Sequence, residues 1–391
     1  MAVPHTAGEI SRKAAKPQSR RASLWWSTVR ASLVGARTNK MDTFIAARVG
    51  QAIAERIFPG AVVLATREGV PLVRRAYGTT MYEDAGSRPV TPDDCFDIAS
   101  LTKVFTATAA LALYDLGLLD LDAEATRYLP GLAARGVTVR HLLTHCSGLD
   151  LRLAALREAG ATGVRAAVWA TTPIHPPGTT VAYTNINSLL LGEIVAVVAD
   201  MPLDRAIATL VSQPLGLEAT GFRPPVALWP RIPPTEWDET WRRTLVRGVV
   251  HDESAYALGG VAGHAGLFST ASDLECFTRM WLQGGAWGGQ QLLREATVAA
   301  ALRDYTVALR SLTGEPVRSG LGWMLDRAHF MGAAPRGSFG HTGFTGPALV
   351  GVPACGLTLV VLSNRTYPRR TPPPYRHHDV TAALLGALLR R

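Results

Sequence analysis

The 391-residue sequence has little cysteine and no long apolar run, and each of these shortages excludes a class of protein. Its four cysteines are scattered without a Cys-x-x-Cys pair, which excludes a disulfide framework and indicates thiols kept in a reducing compartment. No apolar run reaches the roughly 18 residues of a membrane helix, so we expect no membrane span. Hydrophobic residues make up 47% of the chain, which is typical of a globular protein with a sizeable core.

The formal charge of +9 is unevenly distributed along the chain. Residues 1–40 carry eight Lys or Arg and one acidic residue, which leaves +2 for the rest. The body therefore offers no basic face for nucleic acid, and we predict that 1–40 is a disordered basic leader. Within it, Arg20-Arg21 before an apolar stretch faintly resembles a twin-arginine export signal, but Arg30 interrupts that stretch. We expect a cytoplasmic location, with export as the alternative.

Two catalytic motifs are also missing. His141 and His145 stand four residues apart, but Leu142 occupies the place of the glutamate in a metalloprotease His-Glu-x-x-His. We predict packing and surface roles for the two histidines, on a short helix that ends at Gly148, and we predict no metal and no cofactor. The Gly-x-Ser-x-Gly of α/β-hydrolases is absent, which excludes that class. His251, Asp252 and His264 could be catalytic, but structural hydrogen bonding is the favoured interpretation of this cluster.

The hydrophobic pattern predicts an α+β fold. A helix from residue 41 precedes an antiparallel hairpin, the middle of the chain is mostly helical, and strands return in the last third. We predict that the two ends pair into one antiparallel sheet covered by helices, with an inserted helical lobe and a cleft between them. The predicted domains are a basic leader, 1–40, a sheet domain, 41–98 with 270–391, and a helical domain, 99–269.

The stretch Ser100-x-x-Lys103 opens a long apolar helix that we expect to end near Gly117. Residues at i and i+3 share a helix face, so Ser100 and Lys103 point the same way. A serine hydroxyl becomes a nucleophile when a base takes its proton, and a desolvated lysine can be that base. Unpaired N–H groups of the first helical turn would favour developing negative charge there.

Three pieces in order resemble the serine β-lactamase and penicillin-binding protein superfamily. They are Ser100-x-x-Lys103, Tyr183-Thr184-Asn185 and His341-Thr342-Gly343. The likeness is closer to the branch that uses a tyrosine: class C-type β-lactamases, D,D-peptidases and family VIII carboxylesterases. Segments 141–149 and 259–270 are also similar to that branch, and the likeness spans about residues 55–365.

The resemblance implies a covalent acyl-enzyme mechanism. Ser100 would attack a carbonyl, while Lys103 and Tyr183 would share the work of the base, with Tyr183 as a phenolate or a proton shuttle. Asn185 would hold Lys103 and a substrate carbonyl by hydrogen bonds. The N–H groups of Ser100 and Phe344 would form the oxyanion hole.

The edge strand with His341, Thr342, Gly343 and Phe344 would lie along the substrate. β-Lactamases usually carry lysine where His341 stands, and an unperturbed histidine is mostly neutral at pH 7. This difference argues against an efficient lactamase and favours uncharged esters. If His341 contacts an anionic group, carboxylate ligands should bind more tightly below about pH 6.5.

We therefore predict a serine hydrolase with carboxylesterase-like activity on a small-molecule ester or amide, with small acyl esters favoured. The alternatives are a D-Ala-D-Ala carboxypeptidase or weak β-lactamase, and a non-catalytic penicillin-binding-type sensor. The sequence leaves the oligomeric state open.

Overall fold

A six-stranded antiparallel sheet joins the two ends of the described chain. The computed structural model describes residues 40–83 and 85–390, so the expected leader lies outside the described residues except for Lys40. In order across the sheet, the strands are β12 Met324–Leu325, β13 Phe339–Thr342, β14 Ala348–Val352, β15 Leu357–Ser363, β1 Gly60–Arg67 and β2 Val70–Gly78. Strand β1 is antiparallel to β15, and the pairing runs from Ala61 opposite Ser363 to Arg67 opposite Leu357. Because β1 also pairs with β2, the N-terminal hairpin is hydrogen-bonded to the C-terminal strands. The predicted α+β fold is confirmed.

The strands of the described residues, in chain order, are β1 Gly60–Arg67, β2 Val70–Gly78, β3 Phe96–Asp97, β4 Thr180–Val181, β5 Gly221–Phe222, β6 Glu236–Asp238, β7 Thr244–Val246, β8 Leu267–Ser269, β9 Ala286–Trp287, β10 Gln290–Gln291, β11 Arg310–Ser311, β12 Met324–Leu325, β13 Phe339–Thr342, β14 Ala348–Val352 and β15 Leu357–Ser363. The α-helices are α1 Lys40–Ala54, α2 Thr102–Asp115, α3 Val139–Thr144, α4 Gly160–Ala170, α5 Asn185–Ala199, α6 Leu203–Ile207, α7 Gln213–Leu215, α8 Glu253–Ala257, α9 Ala271–Leu282, α10 Glu295–Ala301, α11 Ala328–Met331 and α12 His377–Leu389.

Helices cover both faces of the sheet. On one face, Ile45 of α1 and Leu384 of α12 pack with the buried residues Val63 and Leu359 in one hydrophobic cluster. On the other face, α9 packs against β1, β14 and β15. Because these central strands are buried on both sides, their sequences are continuous apolar runs rather than alternating patterns.

Helix α2 is the centre of the second layer. Every residue of Thr102–Asp115 except Tyr114 is buried, including Lys103. A helix that is apolar all round belongs in a core, and the threonines fit there because Thr106 and Thr108 donate to the carbonyls of Thr102 and Val104.

Two local predictions need correction. Ser100 lies in a 3-10 turn, Ala99–Leu101, just before α2 rather than inside it. The short helix α3 ends before Gly148, because His145 adopts the left-handed conformation, with φ of 58°, and closes it. Histidine is one of the residues that tolerate this conformation. The division into domains at residues 98 and 269 stays a prediction.

Within residues 40–83 and 85–390, no single helix has the length and apolar character to cross a membrane. One pair of helical segments in that part of the chain meets the same two criteria when taken together, with a bend of 79° between its members, Asn185–Ala199 and Leu203–Leu215.

Candidate active site

Ser100 and Lys103 meet as their spacing predicts. Lys103 Nζ lies 2.8 Å from Ser100 Oγ and donates to the carbonyl of His264 at 3.1 Å. The turn that presents Ser100 is held by Ala99, whose φ is 46° and whose N–H donates to Asp97 Oδ1 at 2.8 Å. A positive φ at a residue other than glycine is strained backbone, and such strain concentrates at functional sites.

Burial makes Lys103 a base. The side chain is only 2% exposed, and burial lowers the pKa of Lys103 from 10.5 to about 7, although the charge of Asp252 opposes the shift. About half of the amine groups are therefore neutral at pH 7. A neutral amine 2.8 Å from a hydroxyl can take its proton.

Tyr183 completes the group around the serine oxygen. Its side chain is hydrogen-bonded to that of Ser100, and its ring centroid lies 5.1 Å from Lys103 Nζ. The ring is 46% exposed and lines the cavity, but desolvation raises the pKa of Tyr183 above its ordinary value of 10, and the hydrogen bond to Ser100 opposes this only in part. At neutral pH Tyr183 is thus a phenol, which favours a proton shuttle over a standing phenolate.

Close backbone contact positions the helix that follows Tyr183. A Cβ on Gly263 would lie 2.0 Å from the carbonyl oxygen of Ser188 in α5, and a Cβ on Gly192 would lie 2.8 Å from the Cα of Gly263. Thr106 of α2 donates to the carbonyl of Gly263 at 2.9 Å. The glycine-rich loop therefore sits between α2 and the first turns of α5, which brings Tyr183 to Ser100 and Lys103.

Asn185 does not take the partner that the resemblance implies. Its Nδ2 donates to Asp252 Oδ2 at 3.5 Å, while Lys103 is held by Ser100 and His264. Asn185 still lines the same cavity as Ser100 and Tyr183, so a contact with a substrate carbonyl stays a prediction.

Asp252 is a functional candidate for which the sequence interpretation favoured a structural role. It does cap α8, where it accepts from the N–H of Ala255 at 2.9 Å, and it also accepts from Ser254 Oγ at 2.6 Å and pairs with His264 Nε2 at 3.1 Å. Those contacts hold the pKa of Asp252 well below its usual range despite burial. Its lasting negative charge acts on Lys103.

Strand β13 delivers Thr342, Gly343 and Phe344 to the cavity wall, as the sequence suggests. A Cβ on Gly343 would lie 2.7 Å from the carbonyl oxygen of Ile98, so only glycine allows this approach to the Ser100 turn. Thr345 adds a hydrogen bond of 2.9 Å to the carbonyl of Asp97. The oxyanion hole made by the N–H groups of Ser100 and Phe344 stays a prediction.

His341 contradicts the expected pH dependence. Its ring is 1% exposed, and its Nδ1–H donates to the carbonyl of Thr342 at 2.8 Å. Burial, aided by the nearby Lys103 charge, lowers the pKa of His341 to about 3. The expectation that His341 gains charge below pH 6.5 is therefore wrong, because the buried ring stays neutral.

His145 packs beside the same group, in keeping with its predicted role. Its ring centroid lies 4.8 Å from that of Tyr183, and Asn187 Nδ2 lies 3.1 Å from its Nδ1. Burial lowers the pKa of His145 well below its ordinary value, so it is a neutral support for the tyrosine ring. In the described parts of the chain, no three His, Cys, Asp or Glu side chains form a group suited to a metal ion.

The cavity in front of Ser100 has a volume of about 440 Å³. Two arginines, Arg365 and Arg370, are among the residues that line it. Arg370 is paired with Glu236 at 2.5 Å and with Glu253 at 2.8 Å. Both carboxylates are therefore engaged at the wall, and the pKa of Glu236 is lowered to about 2 by its bonds to His251 and Arg370, which outweigh burial. Sequence reasoning had not singled out either arginine.

The sequence and the fold of this chain are similar to those of known proteins. A family model described as "Beta-lactamase" matches residues 45–388. A protein of Escherichia coli (strain K12) named "Putative D-alanyl-D-alanine carboxypeptidase" is 30% identical over 397 aligned residues, which cover 90% of this chain and 88% of that protein.

Solved structures share the fold. "EstCE1, a hydrolase with promiscuous acyltransferase activity" superimposes with a TM-score of 0.71 at 22% identity, covering 88% of this chain and 98% of that chain. A "family VIII carboxylesterase" gives a TM-score of 0.68 at 20% identity, covering 91% and 99%.

Proposed function

This chain belongs to the β-lactamase family of serine hydrolases, and we propose that it hydrolyses small acyl esters through a covalent acyl-enzyme on Ser100. The observation that carries the proposal is the 2.8 Å contact between Lys103 Nζ and Ser100 Oγ, with Tyr183 on the same oxygen and an open cavity in front. A nucleophile, a base and a proton shuttle thus converge where a substrate can enter.

The first half of the reaction follows from these contacts. The neutral amine of Lys103 takes the proton of Ser100 as Oγ bonds to the carbonyl carbon of the ester. The carbonyl oxygen gains the negative charge, which the N–H groups of Ser100 and Phe344 would stabilise; losing one such donor costs other hydrolases about 10²- to 10³-fold in rate. When the tetrahedral intermediate collapses, the bond to the alcohol oxygen breaks and Tyr183 donates its proton to that oxygen. The Lys103 ammonium then returns a proton to Tyr183.

Deacylation repeats these steps with water as the nucleophile. Water attacks the acyl carbon while its proton moves through Tyr183 to the neutral amine of Lys103. The carboxylic acid leaves as Ser100 regains its proton.

An ester is favoured by two features of the site. An alkoxide leaves with less help from an acid than an amine does, so an ester makes a smaller demand on the single proton that Lys103 takes from Ser100 and returns through Tyr183. In addition, the neutral His341 offers no charge to the carboxylate of a β-lactam where related lactamases place a lysine.

The second candidate is a D-alanyl-D-alanine carboxypeptidase, as the names of the E. coli and Salmonella relatives suggest. Peptidoglycan lies outside the membrane, so that activity needs the weak export signal in residues 1–40 to operate. The ester function agrees with the cytoplasmic location that we propose for this chain.

Turnover of a p-nitrophenyl acyl ester beside a chromogenic cephalosporin tests the proposal. We expect ester turnover that is lost in Ser100→Ala, and a fluorophosphonate that adds its mass to Ser100 in the wild type. Faster turnover of the cephalosporin would reverse the order of the candidates. If the protein shows no turnover of either substrate and no fluorophosphonate adduct on Ser100, it is the non-catalytic sensor.

A further inference from the structure

A buried carboxylate lies directly before the turn that presents Ser100. Asp97 is the last residue of β3 and is 2% exposed. Its Oδ1 accepts from the N–H of Ala99 at 2.8 Å, and its Oδ2 accepts from the N–H of His251 at 2.7 Å. An asparagine carries one oxygen and one NH2 group, so at this position it would face one of the two N–H groups with a donor. The pair of bonds therefore requires a carboxylate.

The two N–H groups belong to segments that carry residues of the site. Ala99 directly precedes Ser100, and His251 directly precedes Asp252. Both Ala99 and His251 line the cavity with Ser100. One side chain thus joins the turn of the nucleophile to the loop that holds the charge acting on the base.

A third segment is bonded to the main chain of Asp97. Thr345 Oγ1 donates to the carbonyl of Asp97 at 2.9 Å. Thr345 follows Phe344, and the ring of Phe344 stacks on that of His251 with 5.8 Å between their centroids. Asp97 therefore contacts the chain neighbours of three residues whose relative positions set the geometry of the reaction.

The bond to Ala99 stabilises an unfavourable backbone conformation. The φ of Ala99 is 46°, which glycine adopts readily and alanine does not. The carboxylate is itself costly, because burial raises the pKa of Asp97 and the hydrogen bonds from His251 and Ala99 oppose that rise only in part. A neutral side chain would fill the space without this cost, so the contribution of Asp97 is its pair of accepted bonds.

We propose that Asp97 is a positioning residue for acylation, whose carboxylate holds the Ser100 turn in place against the loop that carries Asp252. It acts through Ala99 and His251 and not through contact with the substrate. The inference rests on the proposed function, because the placement of Ser100 affects the reaction only if Ser100 is the nucleophile.

The assay separates the reactivity of Ser100 from the amount of folded protein. A fluorophosphonate labels Ser100, and mass spectrometry follows the labelled fraction with time. The rate constant of labelling reports how well the folded site activates the serine, whereas the final extent reports how much protein is folded. A purely structural role for Asp97 would affect the extent and the free energy of unfolding in urea, but not the rate constant.

Asp97→Asn should lower the rate constant about fivefold or more, because one buried N–H loses its acceptor. The matched control is Asp94→Asn, in the same segment. Asp94 is 1% exposed, accepts from the N–H of Thr91 at 3.1 Å and pairs with Arg88 at 2.8 Å. This control should lose stability but keep a rate constant within about twofold of the wild type.

The variant Ala99→Gly tests the route by which Asp97 acts. Glycine adopts a φ near 46° without help from a carboxylate. The fall in rate constant caused by Asp97→Ala, which removes both acceptors, should therefore be about fivefold smaller when Ala99→Gly is also present.

Equal falls with and without Ala99→Gly would overturn the proposal. So would a rate constant in Asp97→Asn that matches that of Asp94→Asn, which would show that Asp97 supports only the fold. If Asp97→Ala does not fold, the comparison of the two asparagine variants decides alone. Failure of the proposed function is separate, because the wild type would then show no ester turnover and no adduct on Ser100.

Discussion

Replacing Asp252 with asparagine tests the claim that Lys103 is the base. Asp252 is the charge that raises the pKa of Lys103 against the effect of burial. Its removal should lower that pKa further, so the neutral amine should persist to more acidic pH. Asparagine is a suitable replacement, because it caps helices as well as aspartate does and can still accept from the N–H of Ala255.

The size of the effect follows from the charges involved. The fall in the pKa of Lys103 from 10.5 to about 7 corresponds to about 5 kcal/mol against the ammonium. An opposite charge within a few ångströms raises the pKa of a lysine by roughly 1 to 3. The charge of Asp252 is shared with His264 and Ser254, so we take the low end. The acidic limb should therefore move from near pH 7 to near pH 6, about a tenfold gain in neutral amine below both values.

The assay is kcat/KM for a p-nitrophenyl acyl ester from pH 5 to 9, read at the isosbestic wavelength of p-nitrophenol. The control is Asp93→Asn, which removes a carboxylate that is 59% exposed and paired with Arg74 on the surface. An acidic limb that stays in place in Asp252→Asn, or moves to higher pH, would refute Lys103 as the titrating base.

Three more perturbations have definite expected outcomes. Lys103→Met should abolish ester turnover yet raise the free energy of unfolding at pH 7 by roughly 2–4 kcal/mol in urea titrations. The pKa of the lysine is lower in the folded state, so the unfolded chain binds more protons between about pH 7 and 10. The native lysine therefore destabilises the fold at pH 7, and a variant of equal or lower stability would contradict this. Gly263→Ala should cost about 1–3 kcal/mol and most of the activity, because its Cβ would lie 2.0 Å from the carbonyl oxygen of Ser188. Gly221→Ala, where nothing lies within 4 Å of the new Cβ, should do neither. His341→Gln should leave the pH dependence of inhibition by carboxylates unchanged between pH 5 and 8, because the pKa of His341 is about 3; a difference that develops below pH 6.5 would show that the ring titrates.

The parts of the site that were predicted are those set by local spacing. Ser100 and Lys103 are three residues apart, and the 3-10 turn that leads into α2 still brings their side chains together. The central strands follow from their branched apolar runs, and helix α1 follows from hydrophobic periodicity. The resemblance supplied Tyr183, which no local rule joins to Ser100.

The parts that were missed depend on packing between distant segments. Arg365 lies 265 residues after Ser100, and its burial between Phe344 and Tyr375 appears only when β15, the end of β13 and the segment before α12 come together. The sequence around Asp252 predicts a helix cap, which is a sufficient structural reason for an aspartate at this position. Its effect on the pKa of Lys103 depends on the packing of distant segments and could not be predicted from that pattern. The neutrality of His341 is a property of its burial, which the sequence does not display.

Burial has opposite consequences for the two cations of this cavity because their side chains start from different pKa values. Desolvation lowers the pKa of Lys103 from 10.5 to about 7 and that of Arg365 from 12.5 to about 10. At neutral pH the amine is therefore half neutral and can accept a proton, while the guanidinium stays charged. Residue type thus decides which of these two buried cations can take part in proton transfer. An arginine at 103 could not lose its proton, so we expect Lys103→Arg to remove the base even though the position stays basic.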